Sequence, residues 1–561
     1  MTITIFIVIF FVLYACVIVF SYFKVKKDRA FKRRNILADH GIKPLQEMSE
    51  ARVKRASGYY RQFFTTDSLD DITWNDLHLD DVFATMNHTY CAAGEEYLYY
   101  TLRNPKTNAQ ELDDLEKRIN FFSTHDKVRA TMQETLSTIG YAGKYSVYDY
   151  LDFLTVLKGM NAQKDKMMNL LYLACIGLIV VEPSLALVGG ICLMIYQIVD
   201  YYSKQNIIAS YIGCFSFVTR LLETSRELVK IEGLDEIATD ELAQMKQAYK
   251  SLQTVVKGKF WLKTSNAGAG LGNPLDLMLD YFRMIFHVDI IQFFKMYHHL
   301  SEHLDQVWVL MEAIGKLDSA AAIYAYRCSR GAYCVPEIFE CMQLENATYP
   351  LLEDAIGNSI DVRNSVLITG SNASGKSTFL RTVAINAVLA QTIHTCTCTS
   401  YKAPLYRIFS SISIGDDILS GDSYYMAEIK AMKRIMDTVE TSDLPVLCFV
   451  DEVLRGTNTL ERVSASTQIL SWIAMHGCTC FAATHDLELT ETLSAKYDNY
   501  HFTEDVSEGD IHFTYLLYPG KATTRNAIKL LDLLDYPKEV TDAANNMAAT
   551  FLSDGVWVKG L

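Results

Sequence analysis

The sequence predicts an α/β domain in its C-terminal half, joined to an all-α body, with an N-terminal apolar stretch of membrane length and an internal apolar hairpin. Three observations predict it. The stretch Val366–Arg381 orders an apolar strand (Val366-Leu367-Ile368), a loop bounded by glycines (Gly370-Ser371-Asn372-Ala373-Ser374-Gly375-Lys376-Ser377) and a helical run from Phe379 through Leu389. Two later apolar strands, Val446–Val450 and Cys480–Thr484, each deliver polar residues at the tip. Ile3–Tyr22 and Met167–Val199 are apolar stretches of the kind that cross or enter bilayers.

The loop fits G-x-x-x-x-G-K-[ST], in the strand–loop–helix order a phosphate-binding loop requires. Its glycines let backbone N–H groups turn toward an anion, and the new helix points its positive end at the same place. Lys376 adds a charge for the β- and γ-phosphates, and Ser377 a hydroxyl for Mg²⁺. A chance match is disfavoured by the strand and helix on either side. The strand Val446–Val450 ends in Asp451 and Glu452. An Asp at such a tip can hold the Mg²⁺ shell, and the next acid can polarise a water for in-line attack on the γ-phosphate. The strand Cys480–Thr484 delivers His485, placed to sense that phosphate.

The 561 residues are enough for several domains. Half are hydrophobic, which is high for a wholly soluble chain. The net charge of -14 argues against a protein that wraps nucleic acid over its whole surface, while leaving room for a local basic patch. The 13 cysteines are scattered along a long chain, so no disulfide framework is expected. Cys396-x-Cys398 and Cys478-x-Cys480 lie in β-prone stretches with no second ligand pair at zinc spacing, and read as reduced core thiols.

Taken in order, Ile3–Tyr22 is followed, not preceded, by basic residues: Lys24, Lys26, Lys27, Arg29, Lys32, Arg33 and Arg34. That is the charge pattern of a signal anchor with the remainder of the chain cytoplasmic. Leu112, Leu115, Ile119 and Phe122 recur at helical spacing within an amphipathic region. Two apolar arms, Met167–Val181 and Leu185–Val199, flank Glu182-Pro183-Ser184. Each arm reaches only about 22 Å at ~1.5 Å per residue, so a tight or partly inserted hairpin is expected; the alternative is an apolar hairpin buried in a soluble core. Ala267–Pro274 is glycine-rich but lacks a following Lys-Ser/Thr and reads as a connection between helices.

The motifs together resemble the MutS family of DNA mismatch-repair ATPases. Thr369–Thr378 is similar to that family's TGPNMSGKST, with Ser371 for Pro and Ala373 for Met. Asp416–Glu428 resembles DDLASGRSTFMVE, Asp451–Thr459 resembles DEIGRGTST, and Ala483–Thr490 resembles ATHYHELT. Leu517–Gly520 with Ala527-Ile528 looks like the closing segment, although the family's SYGI is absent. Upstream, Gly94–Leu98 through Pro105 and Arg118, Leu317–Ser319 through Glu337, and Tyr349–Leu352 resemble the helical core. No mismatch-reading domain is expected before Asp67, and the interval that holds the family's DNA clamp here holds the apolar hairpin. Phe502-Thr503-Glu504 matches the reader's F-x-E by letters only, since it lies after the ATPase motifs. No nuclease-like tail is expected.

The resemblance implies an α/β P-loop domain of ABC/MutS type plus an all-α lever and core domain, with N-terminal and internal transmembrane helices. The expected organisation is 1–35 membrane anchor and basic flank, 36–66 linker, 67–166 first half of the core and lever, 167–200 membrane hairpin, 201–345 lever return and core, 346–540 ATPase domain and 541–561 tail. It implies ATP and Mg²⁺ as cofactors, held by Gly370, Ser371, Asn372, Ala373, Ser374, Gly375, Lys376, Ser377 and Thr378. Ser377 and Asp451 would take the metal; Glu452, His485 and Lys376 would act in catalysis. Ser423 would reach the γ-phosphate bound by the other chain of a homodimer. The implied function is ATP hydrolysis driving lever movement in a protein of the cell membrane with its ATPase domain cytoplasmic. The alternative is a membrane-tethered DNA-binding repair or recombination ATPase; no reader or clamp domain supports DNA as a partner, and no protein partner is indicated.

Overall fold

The computed structural model describes residues 30–38, 40–42, 49–141, 146–153, 159–258, 281–371, 374–412, 424–507, 510–522 and 536–555, with Lys27, Pro44, Leu157, Ile528, Leu531 and Trp557. The apolar N-terminal stretch, the glycine-rich stretch 267–274, Asn372, Ala373 and Ser423 therefore lie outside the described residues. The chain forms two compact units: Met1–Phe64, Met86–Tyr100 and Glu116–Ser329 make the first, and Thr65–Thr85, Thr101–Leu115 and Arg330–Leu561 the second.

Among its described residues the first unit is helical, with no strand. Its long elements are α1 (Gln163–Leu178), α2 (Pro183–Leu228), α3 (Asp235–Gly258), α4 (Val288–Ser301) and α5 (Leu304–Ser329). Helix α2 packs on α1, α3, α4 and α5, and Phe215 of α2 meets Phe293 of α4 with ring centroids 5.0 Å apart. Two segments read separately in the sequence meet here. The Asp318 carboxylate of α5 accepts from the N–H groups of Tyr90 (2.9 Å) and Cys91 (3.1 Å), at the start of the helix Ala92–Arg103. A Cβ on Gly94 would stand 2.0 Å from Asp318 Oδ2, so this approach needs glycine. Burial pushes the Asp318 carboxyl up to about 7 and that of Glu96 up to about 8.

The apolar hairpin forms, with two differences from the sequence reading. Its first arm is the 16-residue α1, about 24 Å long at ~1.5 Å per residue and too short to span a bilayer alone. Its second arm starts at Pro183, suited by its fixed φ to the first helical turn, and does not stop near Val199. It continues unbroken for 46 residues, through the boundary at 200. The charges there read as an end but are satisfied in place. Lys204 Nζ donates to Asp165 (2.8 Å) and pairs with Asp200 (2.7 Å), and His287 Nδ1 lies 2.6 Å from Asp165. Among the described residues, one helix, over Pro183–Gln205, is long and apolar enough to cross a membrane. The hairpin is not packed in a core: Val180 is 89% exposed, Val181 76% and Leu170 69%.

The second unit holds two sheets. Strands β1 (Glu337–Ile338), β2 (Met342–Ala347), β3 (Asn358–Val362) and β5 (Ser400–Ala403) form one, in the order β1-β5-β2-β3. The other runs β10-β9-β4-β8-β7-β6, from β4 (Ser365–Thr369), β6 (Arg407–Ser411), β7 (Val446–Asp451), β8 (Thr479–Ala483), β9 (Tyr497–Ser507) and β10 (Asp510–Pro519). Only β10 runs antiparallel to its neighbour. Strands β4 and β7 are buried along their whole length, which explains their unbroken apolar runs. Helices α6 (Lys376–Thr392), α7 (Tyr424–Thr441) and α8 (Thr459–Met475) cover this sheet. The short helix Asp71–Asp76 belongs to this unit: Asp76 accepts from Ser410 Oγ (2.7 Å) and the Ile412 N–H (2.8 Å). The division is thus finer than a single helical stretch over 67–166.

Candidate functional site

The site forms at the carboxyl ends of three adjacent parallel strands, β4, β8 and β7, where α/β sheets present polar groups at a crevice. Strand β4 runs straight into the 370–377 loop, and α6 begins at Lys376. Gly370 has φ +148° and Gly375 φ +109°, both in the region that favours glycine. A Cβ on Gly370 would lie 2.9 Å from Ser374 Oγ and 3.0 Å from the Phe502 carbonyl oxygen.

Lys376 is buried, and its Nζ donates to the carbonyls of Gly370 (2.9 Å) and Ser371 (2.8 Å). Burial pulls its ammonium below the ordinary range, with the Asp451, Glu452 and Glu504 charges pulling the other way. Ser377 Oγ donates to Asp451 Oδ2 at 2.5 Å, joining α6 to the tip of β7. Glu452 follows with φ +53°, and Leu454 with φ +60°, conformations that non-glycine residues adopt at a cost. The backbone there is pinned by the Glu452 N–H donating to the Ala483 carbonyl (2.9 Å). Glu452 Oε1 lies 3.0 Å from His485 Nε2, and Oε2 lies 2.8 Å from Arg455 Nε. The His485 hydrogen bond, helped by the Arg455 and Lys376 charges, holds the Glu452 carboxyl below its usual range despite partial burial. His485 Nε2 is also 3.4 Å from Lys376 Nζ. Ser374 Oγ is buried with no hydrogen-bond partner among the described residues.

Lys376, Ser377, Asp451, Glu452 and His485, five residues spread over 110 positions, lie together at these strand ends. Thr378 stands exposed on the first turn of α6, and Gly370, Ser371, Ser374 and Gly375 form the described part of the loop. Ser377 and Asp451 supply a hydroxyl and a carboxylate in contact, the hard oxygen donors that suit Mg²⁺.

A sequence model of MutS domain V matches residues 366–552, which cover the whole of this site. The chain is 28% identical to the DNA mismatch repair protein MutS of Fusobacterium nucleatum over 263 residues, 44% of this chain and 29% of that protein. It is 31% identical to the protein of the same name from Chloroflexus aurantiacus over 278 residues (46% and 28%), and 30% identical to that of Thermus thermophilus over 236 (41% and 29%). Over residues 366–552 the chain carries the domain V of the MutS family. It spans less than a third of the length of these MutS relatives.

Three residues of this MutS site carried no role in the sequence reading. Arg455 pairs with Glu452 and donates from Nη2 to the Asp451 carbonyl (3.2 Å). Its place three positions after Glu452, in a tight turn, was the available signal. Glu504 is buried and accepts from Ser371 Oγ (2.9 Å). Phe502 is fully buried and packs on Phe379, centroids 5.8 Å apart, beneath the glycines of the loop. Phe502 and Glu504 therefore support the loop from inside the fold, and their F-x-E spelling has no bearing on reading DNA.

Proposed function

We propose that this chain is a membrane-anchored MutS-family ATPase that binds ATP with Mg²⁺ and hydrolyses it. The observation that supports this reading most is the convergence of Lys376, Ser377, Asp451, Glu452 and His485 at three parallel strand ends. In this reading the loop N–H groups and the α6 N-terminus take the β- and γ-phosphates. The unpartnered Ser374 hydroxyl gains a partner when phosphate arrives. Lys376 leaves the loop carbonyls for the phosphate oxygens. Ser377 and Asp451 would hold Mg²⁺, which would supply neutralising charge when bound. Glu452, ionised at neutral pH because of His485 and Arg455, accepts the proton of the attacking water. His485, bonded to Glu452 and beside Lys376, contacts the γ-phosphate.

The dimer and the lever movement rest on the family resemblance. Ser423 of one protomer would complete the site of the other, and opening of the pair after hydrolysis would move the helical body. The exposed apolar hairpin supports a bilayer as the surface next to that body; a cytoplasmic site rests on the basic residues that follow the N-terminal apolar stretch. The second reading, a membrane-tethered DNA ATPase, is favoured by the names of the MutS relatives. Measuring the ATPase rate of the detergent-solubilised protein with homoduplex and with mismatched DNA separates the two. No response to either DNA fits the membrane reading. Equal stimulation fits a tethered, sequence-blind DNA ATPase, and stimulation by the mismatch alone would make it a repair sensor.

A further inference from the structure

The far end of α6 carries a second polar device. Asn386 of α6 is wholly buried, and its Oδ1 accepts from the Thr397 N–H (2.7 Å) and Oγ1 (3.2 Å). Thr397 stands between Cys396 and Cys398. Reciprocal backbone bonds pair Cys334 with Cys396: Cys334 N–H to Cys396 O at 3.0 Å, and Cys396 N–H to Cys334 O at 2.9 Å. This pairing sets Cys334 Sγ 3.3 Å from Cys398 Sγ. Cys396 points its own Sγ toward the Asn386 carbonyl (3.5 Å) while lying beside the other two thiols, and the shortest sulfur–sulfur approach is that of Cys334 and Cys398. Cys398 is buried, while Cys334 is half-buried and open to small solutes. The neighbouring thiols hold the Cys334 thiol down to about 4, and its contact with Cys334 pushes Cys398 up. A partly exposed sulfur thus lies against a buried one, the arrangement of an attacking and a resolving cysteine, and the thiol contacts favour the ionised form at Cys334. The Cys448–Cys478 contact (3.5 Å) differs in that both thiols are buried.

We propose that Cys334 and Cys398 are a redox modification site, closing to a reversible intrachain disulfide whose state is felt at the 370–377 loop through Thr397, Asn386 and α6. The oxidant is hydrogen peroxide. The Cys334 thiolate attacks one peroxide oxygen, the O–O bond breaks, and the departing oxygen leaves as water after taking a proton. The Cys398 sulfur then displaces the hydroxyl of the resulting sulfenic acid, forming the S–S bond and releasing a second water. Two thiols lose two electrons and two protons, and one peroxide becomes two waters. A dithiol reductant reverses the bond. Closure moves the sulfurs from 3.3 Å to about 2.05 Å, and so tightens the Cys396–Cys398 segment that holds Asn386. Asn386 lies nine residues from Ser377 on one helix, on the order of 14 Å along its axis. The coupling to the loop rests on the nucleotide reading above, whereas formation of the bond does not.

The test uses the full-length protein treated with hydrogen peroxide, then peptide mapping by mass and titration with a fluorescent ATP analogue. The expected result is a 334–398 linked peptide, about 2 Da lighter than the two free peptides together, which dithiothreitol reverses and Cys334→Ser abolishes. The analogue's Kd is expected to differ at least threefold between oxidised and reduced protein, and not to change on oxidation of Cys334→Ser. Because Cys334 is half-buried, that variant keeps the fold, and Cys398→Ala checks the partner. Recovery of both thiols free, or of Cys334 as sulfinic acid, would overturn the site. A linked peptide with unchanged Kd would overturn the coupling. A linked peptide in a protein that binds no nucleotide in either state would contradict the nucleotide reading and the coupling, while upholding the modification site.

Discussion

Between Leu170 and Val199, fourteen Leu, Ile and Val side chains are exposed, from 38% at Leu178 to 89% at Val180. Fully burying one such side chain is worth about 1.5–3 kcal/mol, so at these exposures each retains roughly 1–1.5 kcal/mol and the set on the order of 15–20 kcal/mol. Soluble surfaces rarely carry a contiguous patch of that kind. In lipid that area is covered; in water it drives association. The perturbation is Ile176→Asp with Val188→Arg, one charge on each arm, each costing about 2.5–3.5 kcal/mol at the bilayer centre. The reporters are native: Cys192 lies on the second arm and Cys328 in the helical body, both exposed in the fold. In liposomes, a membrane-impermeant maleimide is expected to label Cys328 rapidly and Cys192 at least tenfold more slowly. In the double variant the two rates converge. Equal labelling of both cysteines in the unmodified protein would refute the lipid-embedded hairpin, whatever the apolar N-terminal stretch does.

Two further outcomes follow from particular side chains. Gly370→Ala places a Cβ at φ +148° against the fixed Phe502 carbonyl, a strain of about 1–3 kcal/mol, and is expected to weaken ATP binding about tenfold or more in a titration. Glu96 has its folded pKa raised to about 8, above an unfolded value of about 4.3, so the fold favours its neutral form. Its contribution is fully present below about pH 4.3 and is lost as pH rises toward 8. The wild-type melting temperature is expected to fall across that window more steeply than that of Glu96→Gln, with Asp318 leaving a residual slope in both; parallel curves would count against the assignment.

What was legible in the sequence was local or repeated along one element. Val366–Ile368, Val446–Val450 and Cys480–Thr484 were readable as strands because parallel strands covered on both faces leave continuous apolar runs. The glycine loop was readable because its backbone geometry restricts residue choice. What the sequence hid depends on partners far along the chain. Glu504 supports Ser371 from 133 positions away, and Cys334 meets Cys398 across 64. The apolar arm read as ending at Val199, and the charges beyond it, Asp200 and Lys204, have partners, Asp165 and His287, that are visible only after folding. The helix therefore continues to Leu228 where composition suggested a stop.

The central claim is that the gathered side chains hydrolyse ATP, and Glu452→Gln tests it most directly. The change keeps the shape of the side chain and its reach to Arg455 while removing the ionised base. Steady-state phosphate release by the detergent-solubilised full-length protein should fall by about 10²–10⁴, with ATP binding retained. Unchanged turnover in Glu452→Gln, or no ATP binding by the unmodified protein, would contradict the account.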